Sequence, residues 1–221
     1  MLMEDYLNAT SFAVGPLFRA ISEIKEPLAE LERDLLHLEL LLEELLEGEA
    51  APKEWRIQLY KKNWGDEATP ENVRAWSQWL EENIEARKSS RTVMCASILL
   101  IAQNGIKKVL GSPREWSQHK GTALTKTDDC ILQAIWHGRN QAAHVEGLTP
   151  GKADEIYFRM LEQEYGPMFS LETNSEFISE AILKNVLGWI DWSTSELFVE
   201  GWDGKMPYAR DMLRLGALVG K

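Results

Sequence analysis

Apolar residues follow a helical seam near the start of the chain. Between Ile21 and Leu45 they recur at alternating spacings of three and four, at positions 21, 24, 28, 31, 35, 38, 42 and 45, which places them along one side of an α-helix with acidic residues around them. Proline is tolerated in a first helical turn but not in the interior, so Pro27 predicts where this helix begins and Gly48 where it ends. Further leucines at 36, 40, 41 and 46 widen the stripe beyond a coiled-coil seam and favour packing into a bundle or against a partner.

The middle of the chain predicts more helices. Residues 52–68 mix aromatic and charged side chains and are interpreted as a short helix or an ordered loop. Thr69 followed by Pro70 is typical of a helix start, because a hydroxyl can cap the free backbone N–H groups and proline fits the first position. Ser89 and Ser90 predict the cap of a separate helix, whose apolar stretch over 93–110 is hydrophobic almost all round and therefore central.

The second half of the chain continues this pattern. Thr127 is followed by two aspartates, and this pattern predicts a helix that runs to about Glu146. Other helical patterns cover 153–163, 175–198 and 208–218, and no sustained two-residue alternation typical of a strand occurs. The sequence therefore predicts an all-α helical bundle. It divides into an N-terminal helical arm at 1–68, which carries the acidic leucine-rich helix, and a core at 69–221, the two forming one domain or two.

Composition and cysteine usage narrow the class of protein. The chain has 221 residues, 44% of them hydrophobic, which is enough to bury a core without disulfides. Its two cysteines, Cys95 and Cys130, lie in apolar runs, where a thiol usually behaves as a small buried hydrophobe. The N-terminus lacks the features of a secretory signal, and the longest apolar run, 93–102, is too short to cross a bilayer. We expect a cytoplasmic protein with no membrane partner.

Charge is distributed unevenly along the chain. The net charge of −11 should repel nucleic acid if it were spread evenly. Residues 105–152, however, contain seven lysines and arginines against four acids, and three of the four histidines, whereas the remainder contains 17 basic and 31 acidic residues. The basic stretch is either a local fluctuation of the kind any sequence contains or a surface for nucleic acid.

Most enzyme signatures are missing from the sequence. It has no phosphate-binding glycine loop, paired CxxC, HExxH or GxSxG motif. The helix over 128–146 is the exception, because spacings of three, four and seven place four polar side chains on one face: His137, Asn140, Gln141 and His144. Arg139 projects about 140° away from His144 on an ideal helix, towards the apolar side. There it is either a structural residue or a group aimed into a cleft.

Late in this helix, in an all-helical chain, stand Arg139, Asn140, three further residues and His144. This order resembles the Arg-x4–6-His motif of the HEPN superfamily. The resemblance covers the motif and the helices between 90 and 198, and it implies a bundle of the HEPN type. It also implies RNA cleavage without a metal or cofactor, by attack of the 2′-hydroxyl on the adjacent phosphate. His144 would transfer the proton, Arg139 would stabilise the phosphorane charge, and Asn140 would orient the phosphate or the histidine.

The resemblance further implies the partners of the protein. They are an RNA substrate, a second protomer whose site faces the first across a homodimer interface, and, for a toxin or antiviral-defence ribonuclease, an antitoxin or another regulatory protein. Four residues are candidate RNA contacts: His137, Gln141, Lys126 and Lys120. Glu146 stands where a subgroup paired with nucleotidyltransferase antitoxins has a tyrosine, so neutralisation by adenylylation of that tyrosine is not supported.

A second hypothesis belongs to a different class of protein. The chain would be a non-catalytic helical interaction module, in which the acidic leucine-rich helix binds a partner and Arg139 and His144 are structural. Overproduction distinguishes the two, because an active ribonuclease of this kind is expected to be toxic to cells and an adaptor usually is not.

Overall fold

The computed structural model of the chain describes residues 2–47, 52–112, 115, 126–144, 151–173, 177–190 and 207–217, with side chains for all of these except 126, 127 and 142–144. Every regular element in these residues is a helix, which confirms the all-α class for the described part. The elements are α1 (Met3–Glu47), α2 (Glu54–Trp64), α3 (Pro70–Leu110), α4 (Lys126–His144), α5 (Lys152–Tyr165), a 3-10 turn (Pro167–Phe169), α6 (Ile178–Ala181), a π-helical turn (Ile182–Val186) and α7 (Pro207–Gly216).

Helix α1 is longer than the sequence predicts. It runs without a break through Pro16 and Pro27, so the expected start at Pro27 is wrong. A proline inside a helix costs about 3 kcal/mol, because it removes one backbone hydrogen bond and crowds the preceding turn. Buried apolar residues continue on both sides of Pro27, with Ile21 before it and Leu28 after it. The burial of side chains of this size, worth about 1.5–3 kcal/mol each, offsets that cost.

Helix α3 joins two helices that the sequence separates. Its start is as predicted: Pro70 is the first helical residue, and Thr69 Oγ1 accepts a hydrogen bond from the backbone N–H three residues later, at 3.3 Å. The break expected at Ser89 and Ser90 is wrong, because both serines lie inside the helix. The hydroxyl of Ser90 donates to the carbonyl of Ala86 at 2.8 Å, within the same helix, and therefore caps nothing.

The long helix expected over 175–198 is also wrong. Helix α6 has four residues and continues as the π-helical turn over 182–186, after which Gly188 adopts a left-handed φ of +61°. The backbone N–H groups of Trp189 and Ile190 both donate to the carbonyl of Leu183, at 2.8 and 3.3 Å, so the chain turns back on the helix end. Residues 191–198 of the expected helix lie outside the described part of the chain.

The described contacts divide the chain into two compact units. One consists of Met1–Ser22 together with Arg91–Lys221, and the other of Glu23–Ser90. These limits lie inside the helices α1 and α3, whereas the division expected from the sequence, at 68/69, lies between two helices. Each long helix supplies apolar side chains to both cores, which is why the units divide within it.

The first unit contains the larger core, to which every helix except α2 contributes. Its largest fully buried side chains are aromatic: Phe18, Phe158, Phe169, Trp189 and Tyr208. The second unit is built around a smaller cluster from three helices: Leu38, Leu41, Tyr60, Val73 and Leu80.

The two cysteines differ in their surroundings. Cys95 is fully buried, as expected, and burial raises the pKa of its thiol. Cys130 is exposed, contrary to the expectation from its apolar neighbours in sequence.

Helix α3 is, by length and composition, the one described helix apolar enough to cross a membrane. Of its most apolar 18-residue stretch, 44% is buried. Helix α3 also supplies Cys95, Ile98, Leu99, Ala102 and Ile106 to the core of the first unit.

Candidate functional site

Helix α4 carries most of the candidate residues. It spans Lys126–His144, so the helix predicted there is confirmed as far as His144, and 145–150 lie outside the described residues. Asp128 and Asp129 lie in its first turn, where the helix dipole favours negative charge. Its buried residues recur at helical spacing and form one face towards the core: Asp128, Ile131, Leu132, Ala134, Ile135, Gly138 and Gln141.

Gly138 allows α4 to lie close to its neighbours. A Cβ atom at this position would lie 2.6 Å from Cδ1 of Ile182 and 3.0 Å from Cδ1 of Leu99. Carbon atoms need about 3.5–4.0 Å. The glycine immediately before Arg139 therefore sets how close the motif lies to α3 and to the π-helical turn.

His137 is held on three sides. Its Nδ1 lies 2.6 Å from Oδ1 of Asp154 on α5, and its Nε2 lies 3.0 Å from Oε1 of Gln133, one turn earlier on α4. The imidazole also stacks on the ring of Tyr157, with ring centroids 4.5 Å apart and planes inclined by 21°. Burial raises the pKa of the Tyr157 hydroxyl, which therefore stays neutral near pH 7. Because both ring nitrogens already have partners, His137 has a structural arrangement and little capacity to contact RNA.

Asp154 joins two turns of α4 to the first turn of α5. The same Oδ1 atom that bonds His137 accepts a hydrogen bond from Nδ2 of Asn140 at 3.5 Å. The residue is 6% exposed, and its backbone N–H donates to the carbonyl of Gly151 at 2.8 Å, in the first turn of α5. A hydrogen bond to a carboxylate is stronger than one between neutral groups. The 2.6 Å contact therefore holds His137 closely, whereas the 3.5 Å contact with Asn140 is longer than an ordinary hydrogen bond and weaker.

The sequence did not predict three residues that contact the candidate site: Asp154, Gln133 and Tyr157. Asp154 lies ten positions beyond His144, in what the sequence shows only as the acidic first turn of another helix. Its signal is local and points to helix capping, because nothing in the spacing shows that α5 packs its first turn against α4. Tyr157 follows one turn later and has the same limitation.

Arg139 is half-buried, as are His137 and Asn140, so its burial does not distinguish it from the polar face on which the sequence placed those two residues. It makes no hydrogen bond or ion pair with any residue that the structure describes. A guanidinium in this position has five N–H donors in a planar fork, which suits two oxygens of a phosphate. The described part of the chain therefore places the arginine of the motif without an internal acid partner.

Gln141 is 3% exposed, so the expectation that it shares an open polar face is wrong. It lies one turn after Gly138, on the face that packs into the core, and its Oε1 has no hydrogen-bond partner among the described residues. In this single chain the side chain has no access to RNA.

The remaining candidates can be placed only in part. Lys126 and His144 are the first and last residues of α4, and their side chains lie outside the description. Lys120 lies outside the described residues altogether. Among the residues that the structure describes, no group of three or more histidine, cysteine, aspartate or glutamate side chains could hold a metal ion.

Comparison with known proteins finds no match to this chain: no protein-family model, no curated protein and no solved structure matches it.

Proposed function

We propose that the protein is a metal-independent RNA endonuclease of the HEPN type. One observation carries the proposal: Arg139, Asn140 and His144 lie within the last two turns of one helix, and Arg139 is half-buried without an acid partner among the described residues. A half-buried structural arginine either extends its guanidinium to solvent or bonds a carboxylate of its own bundle, and no such carboxylate contacts Arg139 among the described residues. An arginine whose role is to bind a phosphate is expected to have no carboxylate partner before the substrate binds.

The proposed reaction uses an imidazole and a guanidinium. The imidazole of His144 accepts the proton of a ribose 2′-hydroxyl as the oxygen attacks the adjacent phosphorus. The guanidinium of Arg139 stabilises the negative charge that develops on the phosphorane oxygens. The bond from phosphorus to the 5′-oxygen then breaks, and an imidazolium at the site gives that oxygen a proton. The products are a 2′,3′-cyclic phosphate and a 5′-hydroxyl, and no oxidant, metal or cofactor enters the balance.

We propose a homodimer as the active form. The stretch 105–152 has seven basic residues against four acids in an otherwise acidic chain. Two such stretches facing each other would produce a stronger positive potential than one, which would attract RNA despite the net charge of −11. The dimer would also supply a second His144 to share the proton transfers. The cytoplasm, where RNA is available, is the proposed compartment, and an antitoxin or regulatory protein is a proposed further partner.

The test is cleavage of total cellular RNA and of single-stranded RNA of randomised sequence. We expect the wild type to cut both, to leave cyclic-phosphate ends, and to remain active in EDTA. The variants His144→Ala and Arg139→Ala should lose at least about 100-fold in rate, in line with the loss of a general base or of a charge-stabilising group. The exposed Arg74 lies on α3 in the other unit. Arg74→Ala is therefore a control of equal charge and should be as active as the wild type.

Three results would contradict the proposal. Full activity of His144→Ala would remove the catalytic assignment, and complete inhibition by EDTA that magnesium reverses would indicate a different chemistry. A monomer at micromolar concentration by light scattering would remove the composite site.

A non-catalytic interaction module is the second candidate function, and the unit Glu23–Ser90 provides the observation that favours it. Large apolar side chains there are about half exposed: Leu36 at 53%, Leu46 at 55%, Trp55 at 51% and Trp79 at 47%. Where such side chains form one contiguous apolar surface, they mark a contact with a partner. Overproduction without toxicity, together with the absence of RNA cleavage by the wild type, would favour this function over the ribonuclease.

A further inference from the structure

We infer that Asp154 is a positioning residue of the proposed ribonuclease site, acting through Asn140. This inference rests on the proposed function, and it assigns a role to a residue outside the Arg139–His144 motif. Its basis is the single carboxylate oxygen that lies 2.6 Å from Nδ1 of His137 and 3.5 Å from Nδ2 of Asn140.

The contact with Asp154 orients the Asn140 side chain. Its amide group has two N–H donors and one carbonyl acceptor. When Nδ2 donates to Asp154, the side chain is turned so that its carbonyl oxygen and its second N–H point elsewhere. A free asparagine would sample several rotamers, and the carboxylate, at the long end of hydrogen-bond distance, favours one of them before any substrate arrives.

The carboxylate of Asp154 is itself held in place by its surroundings. The Asp154 side chain is 9% exposed and the His137 side chain 12%, so the pair is shielded from water. His137 in turn lies between Gln133 and the ring of Tyr157. The carboxylate is also in the first turn of α5, where the dipole of the helix favours it. Asp154 thus has a fixed position, and it can transmit that position to Asn140.

The carboxylate of Asp154 also connects helices α4 and α5. His144 ends α4, and α5 begins at Lys152. Because Asp154 bonds Asn140 and His137, the start of α5 is fastened to the last two turns of α4. The carboxylate therefore also fixes the distance between the end of the motif helix and the beginning of the next helix.

The main experiment compares three variants by steady-state cleavage of single-stranded RNA of randomised sequence. Asp154→Asn keeps the shape and removes the charge, and Asp154→Glu keeps the charge and moves the carboxylate by one methylene. Glu155→Gln is the matched control, since Glu155 is the neighbouring acid in the same turn of α5. We expect kcat to fall about 10- to 100-fold in both Asp154 variants, as for other residues that orient a group at an active site, while KM and the Glu155→Gln variant stay within twofold of the wild type.

A second readout separates positioning from stability. In the nuclear magnetic resonance spectrum, the side-chain amide signal of Asn140 should shift in Asp154→Asn and stay in place in Glu155→Gln. In an Asn140→Ala background, Asp154→Asn should cause no further loss of kcat, because its effect passes through Asn140. If Asp154→Asn does not fold, Asp154→Glu is the decisive variant. A charge pair that served only stability would be restored in Asp154→Glu, and kcat would be restored with it.

Three results overturn the inference: wild-type kcat in a folded Asp154→Asn, full activity of Asp154→Glu, or an Asn140 amide signal that does not move when the carboxylate is removed. Failure of the proposed function looks different. The wild type then cuts no RNA while the Asn140 signal still shifts, so the hydrogen bond exists but positions no reaction.

Discussion

Replacement of Gly105 by alanine should destabilise the protein, whereas the same change at Gly15 should leave its stability close to that of the wild type. Both glycines lie inside long helices, α3 and α1. In a helix interior alanine is favoured over glycine by about 1 kcal/mol, because it loses less backbone entropy. The two sites share this favourable contribution. At Gly15 it is offset because Pro16 follows within the helix, and the proline ring crowds a Cβ atom on the residue before it.

The structure gives the size of that difference. A Cβ atom at Gly105 would lie 2.6 and 2.8 Å from two carbons of the Tyr6 ring and 3.0 Å from Cε of Met212, whereas at Gly15 nothing lies within 4 Å. The Tyr6 ring cannot easily retreat, since it is 5% exposed and its hydroxyl donates to the carbonyl of Ile101 at 2.6 Å. Overpacking of a core in this way costs about 1–3 kcal/mol. We expect Gly15→Ala to lie close to the wild type, and Gly105→Ala to be up to about 2 kcal/mol less stable, because the overpacking cost exceeds the preference for alanine.

Urea and thermal unfolding followed by circular dichroism would measure both variants. In a chain of this length 1 kcal/mol corresponds to about 2–4 °C in Tm, so Gly105→Ala should melt several degrees below both Gly15→Ala and the wild type. The reasoning is refuted if Gly105→Ala is as stable as Gly15→Ala. That result would mean that the ring and the methionine move aside at no cost.

Two further predictions concern buried polar groups. Gln103 is 1% exposed, and neither atom of its amide has a hydrogen-bond partner in the part of the chain that the structure describes. Gln103→Met should therefore raise the free energy of unfolding by about 1–2 kcal/mol, as the desolvation penalty of an unpaired amide is removed, and a lower Tm for this variant would contradict this expectation. Burial raises the pKa of Tyr208 above its ordinary value of 10.0, so its contribution to stability is complete below about pH 10 and declines as the pH rises further. Urea midpoints measured between pH 8 and 11 should fall less steeply for Tyr208→Phe than for the wild type, and parallel profiles would count against this.

Several features of the molecule follow from short stretches of sequence. The start of α3 at Thr69 and Pro70 depends on a cap hydroxyl and a proline that act within one turn. The existence of α4, with Arg139, Asn140 and His144 in its last two turns, follows from apolar spacing and from two aspartates near its start. Interactions of this range are encoded by neighbouring residues, so the all-α class and the helical setting of the motif could be predicted.

Other features depend on contacts between distant parts of the chain. The sequence predicted breaks at Pro27 and Ser90, but helices α1 and α3 continue, because burial in the tertiary structure outweighs a local signal worth a few kcal/mol. Gln141 is polar by type and was expected on an open face, yet the face it shares with Gly138 packs into the core. Spacing on one helix shows which residues share a face, and only the neighbouring helices decide which face is buried.

The surroundings of the motif belong to this second group. The sequence by itself determined that His137 and Asn140 lie one turn apart on a helix, since that follows from the helical repeat alone. Only the tertiary structure decided that both meet Asp154, at 2.6 and 3.5 Å, because α5 must first pack its initial turn against α4. The physical reason is the range of the forces: capping and periodicity act within about two turns, whereas the approach of one carboxylate to two residues of another helix is fixed by how the whole core packs.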